Sequence, residues 1–347
     1  MRGMMGGMGV LIRVARAALA VLFVVLGVSA PGLAWAADDD DRERLMFRIK
    51  DPRITESSGL ATSPTHRGIV YTHNDSDAGP VFYAIGPRGT TRATFRLSGA
   101  EARDWEGMAA TVDPESGRGV LWFADIGDNM DGAWSDISVY RVLEPTRMRN
   151  ATLPATRYRF RYKDGARNAE GVMVNPRTGR LYIVSKEFGG SVYAAPRRLS
   201  TTKPNVLRRI GTAPLMATDA AYAPDGSGYV IRTYFSANLY DASGNSLGRL
   251  TMPAADQAES ITYTRDGTAV LTGSEGPNSP VHRVPLPAHL RPTPTPTPAP
   301  ARRSTPSTSP AAAASPAEGI SPAQLTLGVV LTLGAIAIIT FIARQAR

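Results

Sequence analysis

Residues 104–111 read DWEGMAAT, in which an acid, an aromatic residue and a second acid precede a run of small and apolar residues. The same order recurs along the chain: an acid, a small residue and an alternating strand, closed by a turn rich in Pro, Asp and Gly. The related stretches are TESSGLATSP (55–64), NAEGVMVNP (168–176), ATDAAYAPDG (217–226) and QAESITYTRDG (257–267). The chain therefore contains an internal repeat, and this repeat decides the prediction of the fold.

The repeat predicts an all-β protein, a five-bladed β-propeller over residues 45–290. Its acids recur 50, 64, 49 and 40 residues apart, which matches one four-stranded blade per repeat. A six-bladed ring would require the 64-residue repeat to hold a further blade, but that repeat contains no sixth acid of this pattern. The acids of the repeat are Glu56, Glu106, Glu170, Asp219 and Glu259.

Closure of the ring is predicted from a strand count. The first four repeats contain a fourth strand, for example TRATFRLSG (91–99), whereas the fifth runs into a Pro-rich segment without one. The stretch LMFRIK (45–50) precedes the first repeat and matches none of its inner strands. We expect this N-terminal strand to complete the fifth blade.

Both ends of the chain carry membrane signals. Residues 1–36 combine early arginines, an apolar run and AWA (34–36), the pattern of a secretory signal peptide, and an acidic mature N-terminus follows at 37–44. Residues 325–343 are free of charged side chains and would span about 29 Å as a helix. The Arg-bearing tail at 344–347 places the C-terminus in the cytoplasm and the propeller outside the cell membrane.

Residues 291–324 are rich in Pro, Thr, Ser and Ala and predict a stalk, which would reach roughly 100 Å in polyproline II. The basic residues of the chain are concentrated in these terminal segments. Eight of the 39 Lys and Arg residues lie outside 37–290, as does Glu318 among the 30 acids, so that span carries 31 basic and 29 acidic side chains. A net charge of +2 there argues against nucleic-acid binding.

The predicted blades place the acids of the repeat at one mouth of the central tunnel. In an antiparallel meander the second strand ends at the level where the first begins. The residues at the ends of the second strands are therefore expected at the same mouth as the acids of the repeat. Carboxylates about 5 Å apart repel by roughly 3 kcal/mol at an effective dielectric constant near 20, so these acids require a proton, a cation or separation. The second-strand residues are His73, Asn74, Asp75, Asp125, Asp128, Lys186, Glu187, Arg232 and Glu275.

Two explanations of the acids remain open. In the first, Ca²⁺ is bound by the acids of the repeat, because Ca²⁺ prefers carboxylate and carbonyl oxygens, while four His and no Cys argue against zinc. The predicted metal ligands are Glu56, Glu106, Glu170, Asp219 and Glu259. In the second, Lys186, Arg232 and Arg103 neutralise the acids, and the ring is structural.

Over 45–290 the repeat resembles exported bacterial β-propellers grouped with WD40-like and phytase-esterase-like proteins, although it lacks the Trp-Asp and Gly-His pairs of true WD40 repeats. In outline it is also similar to five-bladed calcium-dependent apyrases and to six-bladed lactonase and gluconolactonase propellers. That resemblance implies a central calcium ion at one tunnel mouth, with Glu56, Glu106, Glu170 and Glu259 at the corresponding positions.

Two classes of function are consistent with these features. The first is a calcium-dependent hydrolase of phosphoesters or lactones, in which His73 or Asp125 activates water and Lys186 and Arg232 bind a small anionic substrate. The second is a non-catalytic surface module that presents the mouth to an envelope component or another protein. The sequence does not decide whether the protein is an enzyme.

The terminal signals predict a cleaved chain with an external propeller. Intact-mass measurement of the membrane-purified protein should show a chain that begins after Ala36. Protease treatment of whole cells should remove the propeller, and a propeller protected from external protease would contradict this topology.

Overall fold

The protein has an all-β, propeller-like fold, described here by a computed structural model. The structure describes residues 42–75, 78–113, 115–130 and 132–292. Within these ranges the helical structure is a single short 3-10 helix, Ala288–Leu290. The predicted β class is therefore correct.

The strands form consecutive antiparallel groups of four, and neighbouring strands within each group are hydrogen-bonded. Strand β9 (Ala151–Pro154) lies outside these groups. The first group is β2 (Ser57–Thr62), β3 (Val70–Asn74), β4 (Val81–Ile85) and β5 (Thr91–Ser98); the second is β6 (Trp105–Val112), β7 (Gly119–Asp125), β8 (Ile137–Leu143) and β10 (Thr156–Tyr162); the third is β11 (Ala169–Val174), β12 (Leu181–Ser185), β13 (Ser191–Ala194) and β14 (Asn205–Thr212); the fourth is β15 (Ala217–Tyr222), β16 (Gly228–Thr233), β17 (Ser236–Asp241) and β18 (Ser246–Thr251); the fifth is β19 (Ser260–Tyr263), β20 (Ala269–Gly273), β21 (Pro280–Pro285) and β1 (Arg44–Arg48).

The first strand of the repeat in each group lies at the centre of the molecule. These inner strands, β2, β6, β11, β15 and β19, contact one another in that order, and β19 also contacts β2. Apolar side chains fill the space between neighbouring groups. Between the first and second groups, the ring of Phe82 lies 4.8 Å from that of Phe123, and the fully buried Trp105 stacks on Phe123 at 5.1 Å. Trp105 of the opening stretch is therefore a packing residue.

The long second repeat contains an extra strand rather than a further group. Strand β9 pairs in parallel with β5 of the first group, and β10 pairs in parallel with β14 of the third. The first pairing adds β9 to the outer edge of the first group, and the second joins the outer strands of the second and third groups. The insertion thus explains the 64-residue spacing without adding an inner strand.

Strand β1 completes the last group, as the strand count predicted. It pairs antiparallel with β21, and the N–H of Ile49 donates to the Ser279 carbonyl at 2.9 Å. The N–H of Lys50 donates to the Gly89 carbonyl of the first group at 2.9 Å. The N-terminal segment therefore binds both the first and the last group, and Phe47 and Ile49 are buried between them.

Several predicted segments lie outside the described residues. They are the signal peptide (1–36), most of the acidic N-terminus, the stalk from residue 293, the membrane helix (325–343) and the tail (344–347). No helix among the described residues has the length and apolar character needed to cross a membrane.

Closure by β1 predicts a specific loss of stability. A fragment beginning at Asp51 should unfold at a lower temperature and less cooperatively than fragment 37–292, because it exposes the edge of β21. Phe47→Ala alone should cost about 3 kcal/mol, as for other buried Phe side chains. Met46→Ala is the matched control, because Met46 is 41% exposed. Equal melting temperatures for the two fragments, measured by circular dichroism, would contradict closure.

Candidate functional site

The site begins where neighbouring inner strands approach closely. A Cβ atom at Gly107 would lie 2.6 Å from the Glu170 carbonyl oxygen and 2.6 Å from Asp219 Oδ1. The register of β6 against β7 shifts between Trp105 and Met108, and that of β11 against β12 shifts between Ala169 and Gly171. Such β-bulges re-aim side chains at strand ends. The acid–glycine order of the repeat therefore combines close backbone packing with an acid at the same strand end.

Three carboxylates converge at this end. Asp75, Asp104 and Glu106 each offer one oxygen, and these oxygens lie within 4.8 Å of one another. Glu106 is 3% exposed, whereas Asp75 and Asp104 are partly exposed. We call these three residues the carboxylate triad. Their separation is short enough for a single cation to contact all three side chains.

The main chain around the triad is held by hydrogen bonds. Asp125 Oδ1 accepts the N–H groups of Arg103 at 3.2 Å and Asp104 at 2.8 Å. The Glu56 carbonyl accepts the N–H of Asp75 at 2.9 Å. A side chain at Gly127 would collide with the carboxylates of Asp104 and Glu106. The absence of a side chain at Gly127 therefore makes room for the carboxylates of Asp104 and Glu106.

More acids surround the triad, with one lysine among them. Lys186 Nζ donates to Glu170 Oε1 at 2.6 Å and lies 5.2 Å from the centre of the Tyr234 ring. Glu259 is 4% exposed, and its Oε2 accepts no hydrogen bond from the described residues. Glu275 is half-buried beside it. The mouth thus contains more carboxylates than one lysine can neutralise.

Burial and mutual repulsion disfavour the ionised carboxylates. Burial, then the charges of Glu170, Asp75 and Asp104, raises the pKa of Glu106 well above its ordinary value. Burial and repulsion by Glu259 raise the pKa of Glu170 to about 8, although Lys186 opposes the shift. The same causes raise the pKa of Glu275 to about 7. A cation would remove this cost, because it favours the ionised forms.

The predicted metal ligands do not form one group. Glu106 belongs to the triad, and Glu170 is paired with Lys186. Asp219 is fully buried, and its two oxygens accept the N–H groups of Ala220 at 2.7 Å and Ile261 at 2.8 Å. Asp219 therefore ties β15 to β19 and has a structural role. Glu56 is exposed at the edge of the mouth, and Glu259 lies on the Lys186 side.

The predicted catalytic residues are buried in supporting positions. His73 has no exposed surface, and its Nδ1 lies 2.9 Å from the Asn74 carbonyl oxygen. Burial lowers the pKa of His73 to about 4, against the opposing effect of the Asn74 and Glu106 carbonyls. Asp125 is 2% exposed and accepts backbone N–H groups. His73 therefore has no contact with solvent, and Asp125 positions the backbone of Asp104.

Neither predicted anion-binding residue is available for an anion in this arrangement. Arg232 is fully buried, and its Nε donates to the Ala258 carbonyl at 3.4 Å. Burial lowers the pKa of Arg232 to about 10, although the charges of Asp219 and Glu259 oppose the shift. Lys186 is engaged by Glu170. Lys186 thus forms an ion pair with an acid of the mouth, and Arg232 lies buried near Asp219 and Glu259.

The sequence pattern alone does not group Asp75 and Asp104 with Glu106. Asp75 was predicted among the second-strand residues, and the acid of each repeat was predicted as the metal ligand. The available signal was the adjacency of β2 and β6, because HND (73–75) lies at the end of β3, the partner of β2, and DWE (104–106) lies at the start of β6. The triad therefore joins the end of the second strand of the first group to the start of the inner strand of the second group.

Comparison with known proteins finds similar solved structures. No protein-family model matches the chain, and no curated protein matches it. The chain is similar to XC5397 from Xanthomonas campestris, a gluconolactonase, at 16% identity and a TM-score of 0.41. The match covers 75% of this chain and 94% of the other.

The raised pKa values predict that stability falls with pH in a chelating buffer. A carboxyl whose pKa is raised in the folded state stabilises the fold while protonated, and this stability is lost as pH rises through the folded pKa. This stability is lost from about pH 4.5, the ordinary pKa of Glu, up to the folded pKa values of about 8 for Glu170 and about 7 for Glu275. His73 gives the opposite slope at lower pH, up to about 6.5, the ordinary pKa of an unfolded His.

The melting temperature of fragment 37–292 with chelator should therefore decrease between pH 6.5 and 8.5. Glu275→Gln should reduce the slope, because glutamine stays neutral at every pH. A melting temperature that is constant or rises over this range would contradict the proposed electrostatics.

Proposed function

We propose that the protein is an exported five-bladed propeller, tethered to the cell membrane by residues 325–343, that hydrolyses an uncharged ester or lactone at a calcium-dependent site. The observation that carries the proposal is the convergence of three carboxylate oxygens within 4.8 Å at Asp75, Asp104 and Glu106. The cyclic contacts of the inner strands support the blade number. The terminal sequence signals support the tether.

The donor set suits Ca²⁺. It consists of carboxylates, which are the hard oxygen ligands that Ca²⁺ prefers. Gly127 keeps side chains out of the space beside Asp104 and Glu106. The acids of the mouth are ionised at a cost that a divalent ion would offset. When bound, Ca²⁺ would polarise an ester carbonyl and favour ionisation of water.

The protein's own residues would position the reactants. Asp125 fixes the backbone of Arg103 and Asp104, so the Asp104 carboxylate keeps its place without rearrangement. Glu275 is half-buried beside the mouth and has a pKa of about 7. A carboxyl with this pKa can exchange a proton near neutral pH. Glu275 is accordingly the proposed general base.

Charge favours an uncharged substrate. Phosphoesters carry negative charge, which the surrounding acids repel. Lys186 and Arg232 do not compensate, because the first is paired with Glu170 and the second is fully buried. A lactone or neutral ester meets no such repulsion. Of the substrate classes predicted from the sequence, the lactone class is therefore the better fit.

The proposal predicts calcium-dependent stability and turnover. A ligand that binds only the folded state adds about 2.7 kcal/mol at a hundredfold excess over Kd, so Ca²⁺ should raise the melting temperature of fragment 37–292. Even an outer-shell change typically weakens metal affinity about 10–100-fold, so Asp104→Asn and Glu106→Gln should each weaken it at least as much. Glu56→Gln is the matched control, because its exposed carboxylate lies outside the triad.

Hydrolysis is measured on a panel of γ- and δ-lactones, with p-nitrophenyl phosphate as the anionic comparison. The expected result is lactone hydrolysis that requires Ca²⁺ and is lost in Asp104→Asn. A calcium-dependent melting shift without hydrolysis would contradict the proposed enzymatic activity but support the calcium site. Identical melting curves with calcium and with chelator would contradict both.

A further inference from the structure

A group of exposed apolar side chains lies on the same face as the acidic mouth. The loops that leave the second strands, and the connections that enter the inner strands, all lie at that end of the groups. Phe188 follows β12, Phe235 follows β16, and Leu215 precedes β15. Met130 and Trp134 lie between β7 and β8. We call these five residues the apolar rim.

The exposure of the rim is high for such side chains. Phe235 is 90% exposed, Phe188 87%, Met130 73%, Leu215 55% and Trp134 37%. Single exposed apolar residues are ordinary on protein surfaces, but clustering on one face marks an interaction site. The rim occupies the second, third and fourth groups in succession. It therefore lies on adjacent groups of the mouth face.

Contacts within the loops hold the rim in place. Asp128 accepts the N–H groups of Ala133 at 3.1 Å and Trp134 at 3.0 Å, and the Arg103 guanidinium lies 4.2 Å from the centre of the Trp134 ring. Met216 has a φ of 51°, a strained conformation for a bulky residue, and its N–H donates to the Glu187 carbonyl at 3.0 Å. The loops are thus held by defined hydrogen bonds.

The rim and the acids are neighbours. Lys186, which pairs with Glu170, lies two residues before Phe188. Its Nζ also lies over Tyr234, whose ring is 6.5 Å from that of Phe235. A cleft lined by Asn168, Lys186, Phe188 and Met216 opens beside them. An occupant of the rim would therefore extend over the acidic mouth.

We propose that the mouth face docks a peptide segment of a partner protein in which Lys or Arg side chains alternate with apolar ones. The apolar side chains pack on Phe188 and Phe235, and the cations face the acidic mouth, where Glu56 is exposed. This role is separate from the proposed hydrolysis, because Glu56, Phe188 and Phe235 belong neither to the carboxylate triad nor to the proposed general base.

Charge complementarity decides between this occupant and others. A membrane leaflet that contains anionic lipids is negatively charged, and the acids of the mouth repel it. A two-fold dimer through this face would bring two acidic mouths together, at a cost in repulsion. The last described residues do not cover the mouth, because Pro292 lies beside Gly267 at the opposite end of the groups. A basic and apolar segment satisfies both features of the surface.

The test uses the full-length chain in phosphatidylcholine nanodiscs, with empty nanodiscs as the blank. The probe is a fluorescent ten-residue peptide of alternating Lys and Tyr, compared with Lys–Ser and Glu–Tyr peptides of the same length. Fluorescence anisotropy should show the Lys–Tyr peptide binding more tightly than both others. Phe188→Ser with Phe235→Ser should weaken that binding at least about tenfold.

The matched control is Ile210→Ser with Leu247→Ser, which changes exposed apolar residues on the outer strands β14 and β18 and should leave binding unchanged. The calcium-dependent melting shift should persist in both double variants, which separates docking from the metal site. Phe188→Ser alone provides a second, milder variant.

Any one of the following results would overturn the proposal. They are equal binding of the Glu–Tyr or Lys–Ser peptide, unchanged binding in the Phe188 and Phe235 variants, and a sedimenting dimer that these substitutions dissociate. The last result would identify a second copy of the chain as the occupant. If the double-substituted chain binds phosphatidylglycerol vesicles less tightly than the unsubstituted chain does, the occupant of the face is a lipid surface.

Discussion

The close approach of neighbouring inner strands is the constraint on which the rest of the site depends. A Cβ atom at Gly107 would lie 2.6 Å from the Glu170 carbonyl oxygen, and one at Gly171 would lie 3.0 Å from the Ala220 backbone nitrogen. The strands can meet at this distance only where a side chain is absent. Glu106 and Glu170, which directly precede these two glycines, are consequently carried to the same end of their strands.

This packing has an electrostatic consequence. Carboxylates held together by the backbone cannot separate, so burial and their mutual repulsion together raise the pKa values of Glu106, Glu170 and Glu275. Part of this repulsion is offset within the protein, by the Lys186–Glu170 ion pair and by the hydrogen bonds that Asp219 accepts from backbone N–H groups. The triad brings further negative charge together, because one oxygen from each of Asp75, Asp104 and Glu106 lies within 4.8 Å of the other two. A metal ion is therefore the natural complement of that part of the mouth.

The repeat made the architecture predictable, because its period and its acid–small–strand order are local properties of the sequence. Closure by β1 was likewise predictable, since the fifth repeat lacked a strand and LMFRIK had no other place. The grouping of Asp75 with Glu106 was not, because it depends on which inner strands are adjacent and on the bulge between Trp105 and Met108. The burial of Arg232 and Asp219 could not be predicted either, because their positions in the repeat match those of residues that reach the mouth.

The most direct test of the account is anomalous diffraction, at long wavelength, from crystals of fragment 37–292 grown with a calcium salt. The account predicts one calcium peak at the mouth, about 2.3–2.6 Å from oxygens of Asp75, Asp104 and Glu106, the usual range of Ca²⁺–oxygen distances. A mouth without a calcium peak at saturating calcium, in which these carboxyls share protons or bind only side chains of the protein, would contradict it.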